Sequence, residues 1–202
     1  DDVVEIVHEE TNEDMMLLTG AESNDVYRSV FSIFKSRSIW LVTNLFATIV
    51  AASVVGEFQD IIAQLSILAV LMPIVASMGG TTGQQTLAVV VRSLATKELN
   101  SRNALRMIGK EFMVGLCNGL LFAVMIGIAV RIWFPGQEMI SYIIALAMLC
   151  NLTVASLAGI LIPLTINRLK IDPAIASGVF LIACTDSGGY FIFLGLAKLL
   201  LF

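Results

Sequence analysis

Apolar and polar positions fall along this 202-residue chain in long blocks, not in the two-residue alternation of half-buried strands. Five blocks are long enough to cross about 30 Å of hydrocarbon as helices: residues 39–56, 61–91, 111–134, 139–166 and 173–202. The predicted fold class is therefore an all-α membrane protein with five transmembrane helices per chain. Trp40 opens the first block at the interface and Gly56-Glu57 closes it, with a tight acidic turn over residues 57–60. The second block is interrupted by Pro73 and then by Gly79, Gly80 and Gly83. Proline removes a helix donor and glycine lowers the cost of unwinding, so a kink or break is predicted at membrane depth. Such a break is tolerated only where protein buries it or a watery cavity contacts it.

The third block carries Gly115, Gly119, Ala123 and Gly127 at intervals of four, a ridge of small residues that lets a neighbouring helix approach closely. Asn151, Thr153, Ser156 and Pro163 lie in the fourth, where the polar groups can bond between helices. The polar loop over residues 92–110 contains Lys97, Arg102 and Arg106, with Asn100 or Ser101 as a cap for the helix that follows. Asp172-Pro173 is a strong start signal for the fifth block, Asp172 as N-cap and Pro173 in the first helical position. Ahead of the spans, residues 25–37 place Val26, Val30, Phe31, Ile33 and Phe34 among Arg28, Lys35 and Arg37, the pattern of a basic amphipathic helix. Residues 1–24 form an acidic tail, with a short apolar run at residues 3–7. The division is thus a tail (1–24), an amphipathic connecting helix (25–37) and a five-helix membrane domain (38–202).

Composition agrees with that reading. Hydrophobic residues make up 57% of the chain, charged residues 14%, and the mean hydropathy is +0.89, against about a quarter charged in soluble domains. The net charge of −4 misleads, because eight acids crowd the first 22 residues without one Lys or Arg. Of the 12 Lys and Arg, only Arg131 and Lys198 fall on one side of the predicted membrane; the other ten lie in the N-terminal segment and in the loops after spans two and four. The positive-inside rule then puts the N-terminus in the cytoplasm and the C-terminus outside. A plasma membrane, the inner membrane of a bacterium, is the expected location, with lipid as a partner and nucleic acid not. Cys117, Cys150 and Cys184 stand singly in apolar segments and read as small membrane hydrophobes.

Enzyme chemistry finds little support. The single histidine, His8, lies in the acidic tail, so the spans hold no zinc pair and no histidine base. An intramembrane aspartyl protease needs two carboxylates sharing a proton, and the spans offer Asp186 alone well inside. Neither a nucleophile elbow nor a phosphate loop occurs.

Asp186 is the feature that points to ion handling. It stands in Ala-Cys-Thr-Asp-Ser-Gly-Gly-Tyr, residues 183–190, about 20 Å into the last span and close to the bilayer midplane. A charged Asp there costs about 2.5–3.5 kcal/mol on insertion scales. The nearest basic residue in the same span, Lys198, is about three turns away. Asp186 is then either a neutral, hydrogen-bonded bundle residue or a carboxylate whose countercharge is a passing cation. Asp172, 14 residues earlier, shares about the same helix side at about 21 Å along the axis. It marks a cytoplasmic mouth, or it is a helix cap and nothing more. Gly178, Gly188 and Gly189 leave room on this span for hydrated ions or for a close helix neighbour. One carboxylate makes a poor cation site, but a twofold axis would set two Asp186 side chains face to face. Magnesium suits that arrangement, since it dehydrates reluctantly and is usually held through retained waters by one or two carboxylates. The carbonyl of Ile182 and the hydroxyl of Thr185 could bind those waters. Calcium, manganese or a coupling proton fits the composition equally well.

Two stretches resemble the MgtE family of magnesium channels and transporters: Pro73-Ile-Val-Ala-Ser-Met-Gly-Gly-Thr-Thr-Gly-Gln-Gln85, and Asp172-Pro-Ala-Ile-Ala-Ser-Gly178 continuing to Thr185-Asp186. The resemblance extends over essentially the whole chain. It implies a homodimer with a central pathway lined by the second and fifth spans, and hydrated Mg²⁺ held between paired Asp186 with further binding near Asp172. Gly79, Gly80, Thr81, Gly83, Gln84, Gln85, Gly178 and Gly189 are the implied lining residues. The family usually carries Asn at the position of Thr81, and some members carry it at those of Gln84 and Gly178. Most members also have a cytosolic helical domain and paired CBS modules that close the pore, which makes a regulatory domain outside this chain an expected partner. The implied function is passive, magnesium-selective transport. The alternatives are a proton- or sodium-coupled divalent cation carrier, or a membrane assembly subunit that transports nothing.

Overall fold

The computed structural model describes residues 16–18, 27–99 and 103–201. The 1–24 tail, apart from a helical turn at 16–18, and the cap positions Asn100 and Ser101 lie outside the described residues. The described chain is helical: α1 is Val30–Gly56, α2 Gln59–Gln64, α3 Ile67–Ala95, α4 Ala104–Trp133, α5 Glu138–Arg168 and α6 Pro173–Leu201. All but α2 are long and apolar enough to cross a membrane, which matches the five spans read from the sequence.

Several features differ from the expectation. From Val30 on, the amphipathic segment and the first span form one helix, while residues 25 and 26 lie outside the described residues: the Ser29 side chain accepts from the Ser32 N–H and α1 runs unbroken to Gly56. Lys-Ser-Arg-Ser over residues 35–38 contains neither proline nor glycine, so nothing there stops the ladder. The acidic turn is followed by the short α2, which delivers Phe58 and Ile61 to a buried cluster with Leu68, Leu71 and Met72. The break predicted in the second span is absent, because α3 is continuous helix through Pro73, Gly79, Gly80 and Gly83. Neighbouring helices press on those glycines, so the ladder stays closed where an isolated helix would open.

The fourth span, α5, is the hub. Its span is 61% buried against 11% for α1, so α5 packs on α3, α4 and α6 while α1 lies outside and packs on α6. The small-residue ridge explains the tightest of these contacts. Methyl groups built at Gly115 and Gly119 would fall within 2.9 Å of Ser156 and Leu149 of α5, so α4 lies as close to α5 as a glycine surface permits. Apolar clusters fill both ends of the bundle, with Phe193, Leu68, Ile143 and Ile144 fully buried at the end that holds α2. Between the ends runs a buried polar belt that includes Asn151, Thr86, Glu111, Ser156 and Thr185.

Candidate functional site

Asp172 caps α6 as its sequence position requires: its Oδ1 accepts from the Ala174 N–H at 2.9 Å, and Pro173 takes the first helical position. That fixes where α6 starts, and Asp186 follows as the fourteenth of its 29 residues. The Asp186 side chain is partly exposed and makes no hydrogen bond or ion pair with any described residue. Among the described residues no group of three or more His, Cys, Asp or Glu could hold a metal ion. Helix α6 therefore presents a single carboxylate at mid-helix, its oxygens unbonded among the described residues.

The residues singled out from the sequence divide into two sets. Gly79, Gly83 and Gly189 are buried in helix contacts inside the chain: a methyl at Gly79 or Gly189 would meet the Asn151 side chain, and one at Gly83 would meet Leu181 and the Ala155 carbonyl. Thr185 also turns inward. It is 2% exposed, its hydroxyl donates to the Leu181 carbonyl at 3.0 Å and the Ile182 carbonyl at 3.3 Å, and it lies against Gly80 of α3.

The other set faces outward. Thr81, Gln84 and Gln85 of α3 are exposed, and Ile182 and Asp186 of α6, one turn apart, are partly so. Helices α3 and α6 run antiparallel, Gly80 meeting Thr185 and Gly83 meeting Leu181, so Thr81 on α3 lies within about one turn of the level of Asp186 on α6. Below them a cavity of about 280 Å³ joins the two helices, lined by Gln84, Ala88, Gly178 and Ile182, with Trp40 of α1 and Leu18 beside it. Gly178 is buried there because the Leu18 carbonyl lies over it, 2.8 Å from where a Cβ would stand. The arrangement is a polar track on α3 running beside one unpaired acid on α6.

Sequence reasoning missed Glu111. It stands first in the third apolar block, but α4 begins at Ala104, and Glu111 is 9% exposed in its second turn. Its Oε2 accepts from the Thr86 hydroxyl of α3 at 2.9 Å. Ser156 Oγ, buried without a hydrogen-bond partner, lies nearby against Gly115. The basic neighbours Arg106 and Lys110 disguised those first turns as loop. A helical count back from the Gly115 ridge, one turn, would have put Glu111 on the same inward face.

A bundle of five long apolar helices, with polar side chains in the interhelical contacts and a lone mid-span acid, defines a multi-pass integral membrane protein. The family described as MgtE, divalent cation transporter, matches residues 72–196, and the chain belongs to that family. It is 34% identical over 199 residues to the magnesium transporter MgtE of Enterococcus faecalis, 31% over 198 residues to that of Bacillus subtilis and 28% over 205 residues to that of Thermus thermophilus. These alignments take in 98–100% of the chain but 44–45% of each relative, so the chain spans less than half the length of the curated relatives it matches.

Proposed function

We propose that this chain is the ion-conducting part of a magnesium transporter, working as a passive pathway on the axis of a homodimer. The observation that carries the reading is Asp186: a carboxylate at the middle of a membrane-spanning helix, partly exposed and without a hydrogen-bond or ion-pair partner among the described residues. Isolation of that kind is costly unless something outside neutralises it. A second copy related by a twofold axis would bring two such acids together, and a cation between them supplies the missing countercharge. Relatives aligned over the whole chain are named magnesium transporters, which favours Mg²⁺ as the cargo.

The chemistry of the track suits a hydrated ion. Mg²⁺ sheds water reluctantly, so a pathway that offers few direct ligands and several water-binding groups is the economical design. Thr81, Gln84 and Gln85 supply side-chain oxygens on α3, and the Ile182 carbonyl lies one turn from Asp186 on α6. Ions would enter past Asp172 at the basic end, which the distribution of Lys and Arg assigns to the cytoplasm in a plasma membrane. Gly79, Gly83 and Gly189 contribute by keeping α3 and α6 tight on α5, and Thr185 by holding α6 against Gly80.

The test is uptake of Mg²⁺ into liposomes holding the purified chain. Flux that follows the magnesium gradient and the voltage, unchanged when proton and sodium gradients are collapsed, is expected. Flux that stops with either gradient would establish a coupled carrier instead, and absence of flux would leave an assembly subunit.

A further inference from the structure

We infer that the groove between the end of α3 and the start of α4 is a binding site for an anionic phospholipid, recognised through its phosphate headgroup. A cavity of about 550 Å³ lies there, lined by Ser93, Glu98, Asn103, Arg106 and Lys110 among others. Arg106 and Lys110 are one turn apart on α4, so both reach the same side of the helix. Both are exposed, and neither forms an ion pair with a described residue. Among the described lining residues Glu98 is the one acid, against two cations, and the Asn103 side-chain amide donates to the Glu98 backbone carbonyl at 2.8 Å, tying the start of α4 to the chain just after α3. The Ser93 hydroxyl donates to the Val89 carbonyl, which leaves its oxygen as an acceptor at the rim.

The depth of the groove identifies the ligand. Helix α4 has 30 residues and is about 45 Å long, while the hydrocarbon layer is about 30 Å thick, so its first turns stand in the headgroup region. Beyond Lys110 the same side of α4 continues, at spacings of three and four residues, with Met113, Cys117, Leu120 and Val124, all exposed. Cations that open directly onto an apolar track fit a molecule with a phosphate at one end and an acyl chain at the other. A soluble phosphate would use the cations and leave the track empty. Basic pockets between transmembrane helices at the headgroup level are a general way of holding anionic lipids.

The test uses the intact chain in a neutral detergent, exchanged against phosphatidylglycerol or phosphatidylcholine, with bound lipid counted by native mass spectrometry. Retention of phosphatidylglycerol about fivefold or more above phosphatidylcholine is expected from two cations at the headgroup level. The preference should vanish in Arg106→Gln/Lys110→Gln and persist both in Arg106→Lys/Lys110→Arg and in Arg131→Gln, whose cation lies at the other end of α4 paired with Glu138. Helical circular dichroism shows that each variant is folded. Equal retention of the two lipids by the wild type, or a preference that survives the double glutamine change, would overturn the site. Displacement of phosphatidylglycerol by millimolar inorganic phosphate would overturn its assignment to a lipid.

Discussion

The side-chain amide of Asn151 on α5 donates to the backbone carbonyl of Val75 on α3 at 2.7 Å, through the gap that Gly79 leaves one turn further along. Asn151 is 1% exposed and lies between Gly79 and Gly189, so one polar side chain pins α5 to both helices of the proposed pathway. A methyl at Gly79 would fall 2.5 Å from Asn151 Nδ2, and the amide would have to give way. Gly79→Ala and Asn151→Ala are each expected to lower stability in detergent, the latter by about 1–2 kcal/mol for an interhelical hydrogen bond in a membrane protein. Because both act at one contact, their effects should be less than additive in the double variant. Denaturant unfolding of the four proteins measures the coupling.

A second close approach involves backbone alone. A methyl at Gly159 of α5 would stand 2.6 Å from the Gly83 carbonyl of α3, which cannot rotate aside. Gly159→Ala should therefore push the two helices apart and cost about 1–3 kcal/mol by overpacking. Gly188→Ala is the contrast, since nothing lies within 4 Å of its built methyl in the chain. Thermal melts should separate the two variants. If Gly188→Ala destabilises as much as Gly159→Ala, then Gly188 is in contact with a second chain.

Glu111 depends on the Thr86 hydroxyl for its one described hydrogen bond. Thr86→Val keeps the shape and removes the donor, leaving a buried acceptor unsatisfied at a cost of about 1–3 kcal/mol. Thr86→Ser keeps a hydroxyl and should recover most of that loss. Chemical denaturation of both variants checks the difference, which a purely steric role for Thr86 would not produce.

Asp172 combines a cap with a place at the proposed entrance. Asp172→Ala should lose about 1 kcal/mol of stability, as caps typically do, while Asp172→Asn retains the acceptor and the fold. If the carboxylate also gathers cations at the mouth, Asp172→Asn will raise the Mg²⁺ concentration needed for half-maximal flux. Flux and melting of the pair separate the two roles.

The sequence made legible whatever depends on runs and local spacing. The five spans appear as uninterrupted apolar blocks, Asp172-Pro173 gives the start of α6, and the four-residue ridge from Gly115 to Gly127 marks the face of α4 that meets α5. What stayed hidden depends on partners far away in the chain. Pro73 and three glycines predict an opening in α3, but packing by Asn151, Gly159 and Thr185 keeps it shut. Gly79 and Gly80 are neighbours in sequence, yet one contacts Asn151 and the other faces Thr185, and only the register of α5 and α6 distinguishes them. Glu111 is hidden in the sequence by Arg106 and Lys110 just before it, which give the first turns of α4 the look of a polar loop.

The central claim is that the free carboxylate of Asp186 carries the ion. The most direct measurement is Mg²⁺ flux into liposomes by wild type and Asp186→Asn, with insertion and helix content matched. Asparagine fills the same volume without the charge, so the packing of α6 should persist. Flux is predicted to fall at least tenfold, the loss of about 1.4 kcal/mol or more at the site. Undiminished flux through a folded Asp186→Asn protein would contradict the account.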